Sequence, residues 1–112
     1  MTAPKLPIDY IEFGARDIPA TKAFYAAAFG WEFTDYGPDY TSFVDGRIAG
    51  GFWTTPDTVG PLVVLKAEQL EVTRDRVVAS GGTITKEIFA FPGGRRFHFK
   101  DCNGNELAVW GE

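Results

Sequence analysis

The side chains best suited to chemistry lie on strand-like segments in which apolar and polar residues alternate. His98, the single histidine, sits in the run Arg96-Phe97-His98-Phe99-Lys100. An imidazole changes charge near neutral pH, so His98 is a candidate general base or hydrogen-bond donor. The alternative is a histidine on a half-exposed strand face, positioned by a neighbouring side chain. A single histidine excludes any site that requires two.

Glu12 and the pair Arg95-Arg96 are the next candidates. Glu12 is a candidate base, a single metal ligand or half of an ion pair with Lys66 or Arg96, and the ion pair is the favoured interpretation. Because side chains alternate along a strand, only one of the two arginines can share the face of His98. Arg96 has that parity, and its guanidinium suits a carboxylate or phosphate of a ligand, with a solvated strand edge as the alternative.

Tyr10, Trp53 and Trp110 are the candidate ligand-contacting rings. Aromatic residues make up 15% of the 112 residues. Large rings fill cores, but they also line pockets for flat or apolar ligands. Tyr10 and Trp110 have the strand parity of the polar candidates, which favours the pocket. Cys102 is the single cysteine and falls in a predicted exposed turn, so neither an intrachain disulfide nor a catalytic thiolate is expected.

Net charge and hydropathy argue against two kinds of partner, nucleic acids and membranes. The net charge is −4, and the sequence has no run of Lys or Arg that would track a phosphate backbone. The longest apolar stretches are far too short to span a membrane. The expectation is a soluble cytoplasmic domain that binds neither nucleic acid nor membrane.

The chain repeats one order of elements, and such duplication determines architecture. The first half predicts a strand, a helix that stops at Gly30 and three strands: Ile8–Ala15, Ile18–Phe29, Trp31–Asp35, Tyr40–Asp45 and Arg47–Thr54. The second half predicts the same order: Leu62–Ala67, Leu70–Ser80, Thr83–Ile88, Arg95–Lys100 and Glu106–Trp110. The sequence therefore predicts one α+β domain of two βαβββ modules, about residues 5–57 and 58–112.

Alternation gives each strand one apolar face, which we expect to pack under the helices. These faces consist of Ile11, Phe13, Ala15, Val63, Leu65, Ala67, Phe97, Phe99, Leu107 and Val109. In the first helix Asp17 is the predicted N-cap, and the predicted core-facing stripe is Ala20, Ala23, Phe24, Ala27 and Ala28. The opposite strand faces mix rings with charges, which suits a cupped mixed sheet around a cavity, with the helices on the outer face.

Several short motifs resemble one known family. The opening module carries Tyr10-Ile11-Glu12-Phe13, Asp17, Ala23-Phe24-Tyr25 and Phe29-Gly30-Trp31-Glu32-Phe33, and the closing module carries Ser80-Gly81-Gly82-Thr83 and Asp101-Cys102-Asn103-Gly104-Asn105. In this order they resemble the vicinal oxygen chelate superfamily, which includes glyoxalase I, extradiol dioxygenases, and fosfomycin- and bleomycin-resistance proteins. The resemblance implies paired βαβββ modules and a cupped sheet, often completed across a dimer. We therefore expect a homodimer, and whether the modules pair within one chain or across the dimer stays open.

The resemblance also implies where a metal would bind. Metal-dependent members carry ligands near the start of each module's first strand and on each module's last strand. The matching positions here are Tyr10, Leu62, the stretch Ala49–Trp53 and Ala108. A divalent cation needs at least three protein donors. No metal and no cofactor is therefore expected at the usual site, with a divalent metal as the lesser alternative.

Two functions remain open. The favoured one is binding of a small aromatic or amphipathic molecule in the cupped-sheet cavity, as bleomycin-resistance proteins do without a metal. The predicted ligand-binding residues are Tyr10, Lys66, Arg96, Trp110 and Trp53. The alternative is a glyoxalase-family lyase, isomerase or dioxygenase, with or without a metal, that uses His98 and Glu12 as catalytic residues. By strand parity, Tyr10, Glu12, Lys66, Arg96, His98 and Trp110 are expected to converge on one cavity.

Overall fold

The computed structural model describes residues 3–57 and 60–112 of the chain. The first half forms β1 (Ile8–Ala15), α1 (Ile18–Phe29), β2 (Glu32–Asp35), β3 (Tyr40–Val44) and β4 (Ala49–Thr54). The second half forms β5 (Leu62–Lys66), α2 (Leu70–Ala79), β6 (Thr83–Phe91), β7 (Gly94–Lys100) and β8 (Glu106–Gly111). The predicted α+β class and the duplicated βαβββ order are confirmed. Within the described residues, neither helix has the length and apolar character needed to cross a membrane.

The chain divides into two compact units. The N-terminal unit is Tyr10–Leu62, and the C-terminal unit is Val63–Glu112 together with residues 3–9. The N-terminal residues join the C-terminal unit because the Lys66 amide donates to the Pro7 carbonyl at 3.1 Å. Leu6 also packs against the core of that unit.

The sheet of the N-terminal unit runs in the order β2-β3-β4-β1, with β1 parallel to β4 and the other pairs antiparallel. Its core consists of Ala15, Ile18, Phe43 and Phe52, with Phe13, Tyr25, Trp31 and Phe33 packed against it. The predicted inward face of β1 is thus confirmed at Phe13 and Ala15. The rings pack in layers: Trp31 stacks on Phe43 with centroids 4.3 Å apart and on Tyr25 at 4.9 Å.

The ends of α1 follow the predicted local signals. An oxygen of the Asp17 side chain accepts a hydrogen bond from the Ala20 amide at 2.9 Å, which caps the first turn. The helix ends at Gly30, whose φ of 72° is the left-handed conformation that favours glycine.

The predicted apolar stripe of α1 is wrong. Ile18 is buried and Tyr25 packs into the core, whereas Phe24 is 59% exposed. The alanines of the predicted stripe are also exposed. Neighbouring helical residues point about 100° apart, so Phe24 and Tyr25 cannot both face one core. Tyr25 takes the inward position because its ring contacts both Trp31 and Phe52, the latter at 5.0 Å.

Two adjacent glycines in β4 leave space for rings on opposite sides of the sheet. A Cβ added at Gly50 would lie 2.6 Å from Cε2 of Phe43 and would also meet the Ile11 carbonyl oxygen. A Cβ at Gly51 would lie 2.6 Å from the Tyr10 hydroxyl and would also meet the Tyr40 ring. Neither glycine has a positive φ angle, so their role is to provide space rather than conformational freedom.

The sheet of the C-terminal unit runs in the order β5-β8-β7-β6, with β5 parallel to β8. Its buried core is Ala67, Leu70, Phe97 and Val109, and the hydrophobic residues packed around it are Leu6, Leu65, Val77, Ile84, Ile88 and Phe99. The predicted inward faces of β5, β7 and β8 are confirmed at Leu65, Ala67, Phe97, Phe99 and Val109.

Strand β6 is longer than predicted. It continues from Ile88 to Phe91 because Pro92-Gly93 makes a tight hairpin turn to β7, with Phe91 opposite Gly94. Pro92 and Gly93, whose φ is 116°, are the residue types that such a turn favours. The register also shifts between Ile84 and Lys86 and again between Lys86 and Phe89. These irregularities break the simple alternation on which sequence-based face assignment depends.

The two β4 glycines give a graded prediction. Gly50→Ala is expected to lower the free energy of unfolding by about 3 kcal/mol or more, because the new methyl group meets the backbone carbonyl of Ile11, which cannot rotate away. Gly51→Ala is expected to cost about 1–3 kcal/mol, because the tyrosine side chains that it meets can shift. Urea unfolding measures both variants.

Gly60→Ala is the matched control, because a Cβ at Gly60 has no atom within 4 Å. It should change stability by less than about 0.5 kcal/mol. Equal stability of the Gly50 and Gly60 variants would contradict the packing of Phe43 over β4.

Candidate functional site

The C-terminal unit carries two cross-strand rows of side chains on the sheet face opposite its core. We call the first the Trp110 row, which comprises Lys66, Trp110, Arg96 and Phe89 in strand order. We call the second the His98 row, which comprises Val64, Ala108, His98 and Lys86. His98 pairs with Ala108 of β8.

The two neighbouring arginines face opposite sides of the sheet, as strand alternation predicted. Arg95 donates through Nη2 to a carboxylate oxygen of Glu71 at 3.2 Å, and Glu71 lies on α2. That guanidinium lowers the pKa of the Glu71 carboxyl below its usual range. Arg96 lies on the other face, among the rings of β6. Of the pair, Arg96 is therefore the candidate for ligand contact, and Arg95 braces the helix.

Cations and rings alternate along the Trp110 row. The Lys66 ammonium lies 4.8 Å from the centroid of the Trp110 ring. The Arg96 guanidinium lies 5.6 Å from Phe89 and the same distance from Phe91. These distances are those of cation–π contacts, in which a cation lies over the face of an aromatic ring. The row thus presents an aromatic and cationic surface.

The orientation of Trp110 is determined by contacts on several sides. Its indole N–H donates to a carboxylate oxygen of Asp9 at 2.9 Å. Phe91 meets the ring edge-on with centroids 6.3 Å apart. A Cβ at Gly94 would lie 3.0 Å from the indole, so glycine leaves room for the ring there. These contacts favour a single orientation of the ring.

The His98 row joins a half-buried imidazole to charged neighbours. The His98 side chain is 13% exposed, and its Nδ1 lies 3.8 Å from a Glu106 carboxylate oxygen. That separation is within ion-pair range but is too long for a hydrogen bond. Glu106 accepts a hydrogen bond from the Thr85 hydroxyl at 2.8 Å. The Lys86 ammonium lies 4.7 Å from the Phe89 ring and so links the two rows.

The turn between β7 and β8 sets the register that places His98 beside Ala108. An oxygen of the Asp101 side chain accepts from the amides of Asn103 and Asn105 at 2.8 and 2.9 Å. Together with the Asn105 side chain, these bonds lower the pKa of the Asp101 carboxyl below its ordinary value. Gly104 adopts a φ of 86°. The Asp, Asn and Gly of this turn therefore have direct structural roles.

The N-terminal unit carries a different chemistry on the face opposite its core. The Tyr10 and Tyr40 hydroxyls are 2.6 Å apart, and the Tyr40 hydroxyl donates to a Glu12 carboxylate oxygen at 2.9 Å. A hydroxyl has one proton, so Tyr10 must donate to Tyr40 when Tyr40 donates to Glu12. The result is a directed chain of hydrogen bonds that ends on a carboxylate.

Tyr40 remains protonated at neutral pH and well above it. Burial raises its pKa, and the hydrogen bond with Tyr10 and the nearby Glu12 carboxylate raise it further. Ionisation would place a second negative charge beside Glu12 in a partly desolvated site. Trp53 pairs with Tyr40 in the β3–β4 register, and its ring is 41% exposed.

The structure groups the predicted site residues within each unit. Lys66, Arg96, His98 and Trp110 share one face of the C-terminal unit, and Tyr10 and Glu12 meet through Tyr40 in the N-terminal unit. The residues of these faces that were not predicted from the sequence are Asp9, Tyr40, Lys86, Phe89 and Phe91. The Pro92-Gly93 pair indicates a hairpin turn and could have predicted the extension of β6 to Phe91. The register shifts within β6 have no comparable local signal in the sequence. Convergence of all six predicted residues on one cavity stays a prediction.

A separate open cleft of 430 Å³ lies beside the start of α1. Its lining includes Arg16, Asp17, Phe24, Tyr25 and Phe52. None of the sequence-predicted site residues lines it, and the carboxylate of Asp17 is already used to cap the helix.

The side chains at the positions implied for metal ligands do not fit a divalent metal. Ala108 is fully buried and has no donor atom, and Leu62 is likewise apolar. The Tyr10 hydroxyl is hydrogen-bonded to Tyr40. Across residues 3–57 and 60–112, no three His, Cys, Asp or Glu side chains are grouped so as to hold a metal ion. Three protein donors are the usual minimum for such a site.

The Tyr40 network can be tested at alkaline pH. The raised pKa means that the stability contributed by neutral Tyr40 is complete below the ordinary tyrosine value of about 10 and is lost as the pH rises above it. Ultraviolet titration of phenolate should show one of the four tyrosines ionising only as the protein unfolds. Tyr40→Phe should remove that step and lower the free energy of unfolding by about 1–3 kcal/mol, because Glu12 loses a hydrogen-bond donor.

Tyr36→Phe is the control, because Tyr36 is 65% exposed and neighbours Tyr40. The variant should keep the ionisation step that accompanies unfolding, and its stability should match that of the unmodified protein. Four tyrosines ionising together near pH 10 while the protein stays folded would rule out the network.

Comparisons with known proteins agree with this architecture. A family model described as Glyoxalase/Bleomycin resistance protein/Dioxygenase superfamily matches residues 7–109. A search of curated proteins found no match. A superfamily member from Vibrio splendidus has a similar structure, with a TM-score of 0.75 and 15% identity over 96% of this chain and 100% of that one.

Two structures named for an activity also share the fold. Methylmalonyl-CoA epimerase from Mycobacterium tuberculosis matches with a TM-score of 0.75 and 13% identity over 99% of this chain and 92% of that one. The Mn(II)-bound glyoxalase from Novosphingobium aromaticivorans matches with a TM-score of 0.71 and 25% identity over 93% of this chain, which spans only 38% of that protein. The family match covers nearly the whole chain, so this protein belongs to the Glyoxalase/Bleomycin resistance protein/Dioxygenase superfamily.

Proposed function

We propose that this protein binds a small aromatic or amphipathic molecule and does so without the divalent metal ion used by metal-dependent members of its family. The observation that carries the proposal is the alternation of cations and rings along the Trp110 row. A flat ligand can stack on such a row while its polar group meets a neighbouring charge.

The burial of the row supports a binding surface over a purely structural cluster. Trp110, Phe89 and Phe91 are half-buried, whereas the core of the same unit is formed by fully buried residues such as Phe97 and Val109. The rings therefore lie outside the core and keep part of their surface accessible. Contacts with Asp9 and Phe91 hold the Trp110 ring in place, which reduces the entropy cost of binding.

The side chain at a position implied for a metal ligand supports the metal-free part of the proposal. Ala108 occupies the last-strand position where metal-dependent relatives are expected to carry a carboxylate, and its neighbours in register are Val64 and His98. A methyl group offers no donor atom to a metal ion, so this position cannot supply the carboxylate.

The binding function predicts that the Trp110 ring contributes strongly to affinity. Trp110→Ala should weaken binding of the uncharged aromatic dye N-phenyl-1-naphthylamine by about 1–3 kcal/mol, which is roughly 5- to 150-fold, through lost apolar burial. Dye fluorescence measures the affinity, and circular dichroism confirms that the variant is folded. Removing metal with EDTA, or adding Mn²⁺, should leave the affinity unchanged.

Val72→Ala is the matched control, because Val72 is an exposed apolar residue on α2, which covers the opposite face of the same sheet. It should leave dye affinity unchanged. Absence of dye binding by the unmodified protein would contradict the proposed function. A requirement for Mn²⁺ would contradict its metal-free part.

We further propose that the protein is a homodimer, with its binding cavity at or near the interface. Each unit has a sheet edge, at β2 and at β6, and Phe24 and Phe29 provide apolar surface at 59% and 62% exposure. Light scattering at micromolar concentration should give twice the mass of the chain, because burial of such surface favours association. A monomer mass under these conditions would contradict this proposal.

A further inference from the structure

We infer that the ligand of the Trp110 and His98 rows is a small aromatic molecule that carries an anionic group of the carboxylate type. This inference rests on the binding function proposed above and adds the charge of the ligand. Three observations support it: the charged groups that lie beside the rings, the distances between these groups and the rings, and the contrast between the local positive charge and the net negative charge of the chain.

The face that carries the rows has an excess of positive charge. Four cationic side chains share it: Lys66, Lys86, Arg96 and Lys100. Glu106 is the one carboxylate that strands β5–β8 place on it, opposite Lys100, and the Asp9 carboxylate meets the indole nitrogen. The chain as a whole has a net charge of −4. A positive face on an acidic protein concentrates small anions there and repels cations.

The position of the charges relative to Trp110 suits one kind of molecule. Lys66 and Arg96 are the cross-strand neighbours of Trp110 on its two sides. Neighbouring strands are about 4.8 Å apart, which is comparable to the distance from an aryl ring to its own carboxylate. A ligand ring packed against Trp110 therefore places its carboxylate within reach of an ammonium or a guanidinium.

The chemistry of the two cations favours a carboxylate over an uncharged polar group. A guanidinium presents a planar fork of N–H donors that matches the two oxygens of a carboxylate. Arg96 is packed between Phe89 and Phe91, and Lys66 lies over Trp110, so both cations are already positioned at ring level. The entropy lost in ordering these two side chains when the anion binds is therefore small.

The test compares 2-naphthoate with 2-naphthamide, which have nearly the same shape and differ in charge. Isothermal titration calorimetry at neutral pH and low salt should show naphthoate binding roughly tenfold more tightly, as expected for a charge-assisted hydrogen bond. The preference should shrink as salt is added, because salt screens partly exposed charges.

Single substitutions test which cationic side chains of this sheet face produce the preference for naphthoate. Lys66→Gln, Lys86→Gln and Arg96→Gln should each reduce the preference for naphthoate while retaining naphthamide binding. Arg96→Lys keeps the charge but loses the planar fork, so it should retain only part of the preference. Lys22→Gln is the control, since the Lys22 ammonium pairs with Asp35 at 2.9 Å in the N-terminal unit. It should bind both probes like the unmodified protein.

The outcomes separate the two proposals. Equal affinity for the two probes would overturn the anionic ligand and leave the binding function intact. A naphthoate preference that survives in the Lys66→Gln, Lys86→Gln and Arg96→Gln variants alike would overturn the assignment to these rows. Binding of neither probe would contradict the proposed function itself, and the inference about ligand charge would fall with it.

Discussion

The structure depends on one constraint: a single helix in each module covers a single face of its sheet. Apolar side chains on the covered face must be buried, and strand geometry then sends every second residue to the opposite face. Phe97 is fully buried while its neighbours Arg96 and His98 lie on the other side. Burying one phenylalanine stabilises the fold by about 1.5–3 kcal/mol. A register slip of one residue would expose that ring and bury the charged neighbours, so the core residues hold the candidate site residues in place.

Glycines that let aromatic rings pack closely across the strands also determine how those rings are oriented. Gly51 lets the Tyr40 ring cross β4 so that its hydroxyl reaches both Tyr10 and Glu12. At Gly94 a Cβ would lie 2.5 Å from the Gly111 carbonyl oxygen and 3.0 Å from the Trp110 indole, so glycine permits the close approach of β8 and its ring. In both places a missing side chain permits a contact that an alanine would crowd. The ring orientations on these faces therefore depend on packing as much as on hydrogen bonding.

The two modules share a topology and have diverged in chemistry. The N-terminal unit presents hydroxyls directed towards a carboxylate, and the C-terminal unit presents rings interleaved with cations. Because a fold accommodates many functions, membership of the superfamily determines neither the ligand nor the reaction. The side chains on the two exposed sheet faces, and not the fold, are what any proposal about the ligand must be argued from.

The sequence by itself determined the features that obey local rules. Strand parity placed Phe97 inward and His98 outward, Asp17 and Gly30 marked the ends of α1, and the repeated element order indicated the architecture. These signals are local because each depends on backbone geometry over a few residues. The order of motifs was also sufficient to indicate the family.

The tertiary structure decided whatever depends on partners distant in sequence. The face of α1 that is buried follows from where the Tyr25 ring meets Trp31 and Phe52, not from the alanine pattern. Tyr40 became a site residue only because β3 pairs beside β4. The register shifts in β6 brought Phe89 opposite Arg96, and local alternation could not reveal them. Contacts between residues far apart in the chain compete with local helix and strand preferences. Where large rings pack together, these contacts outweigh the local preferences.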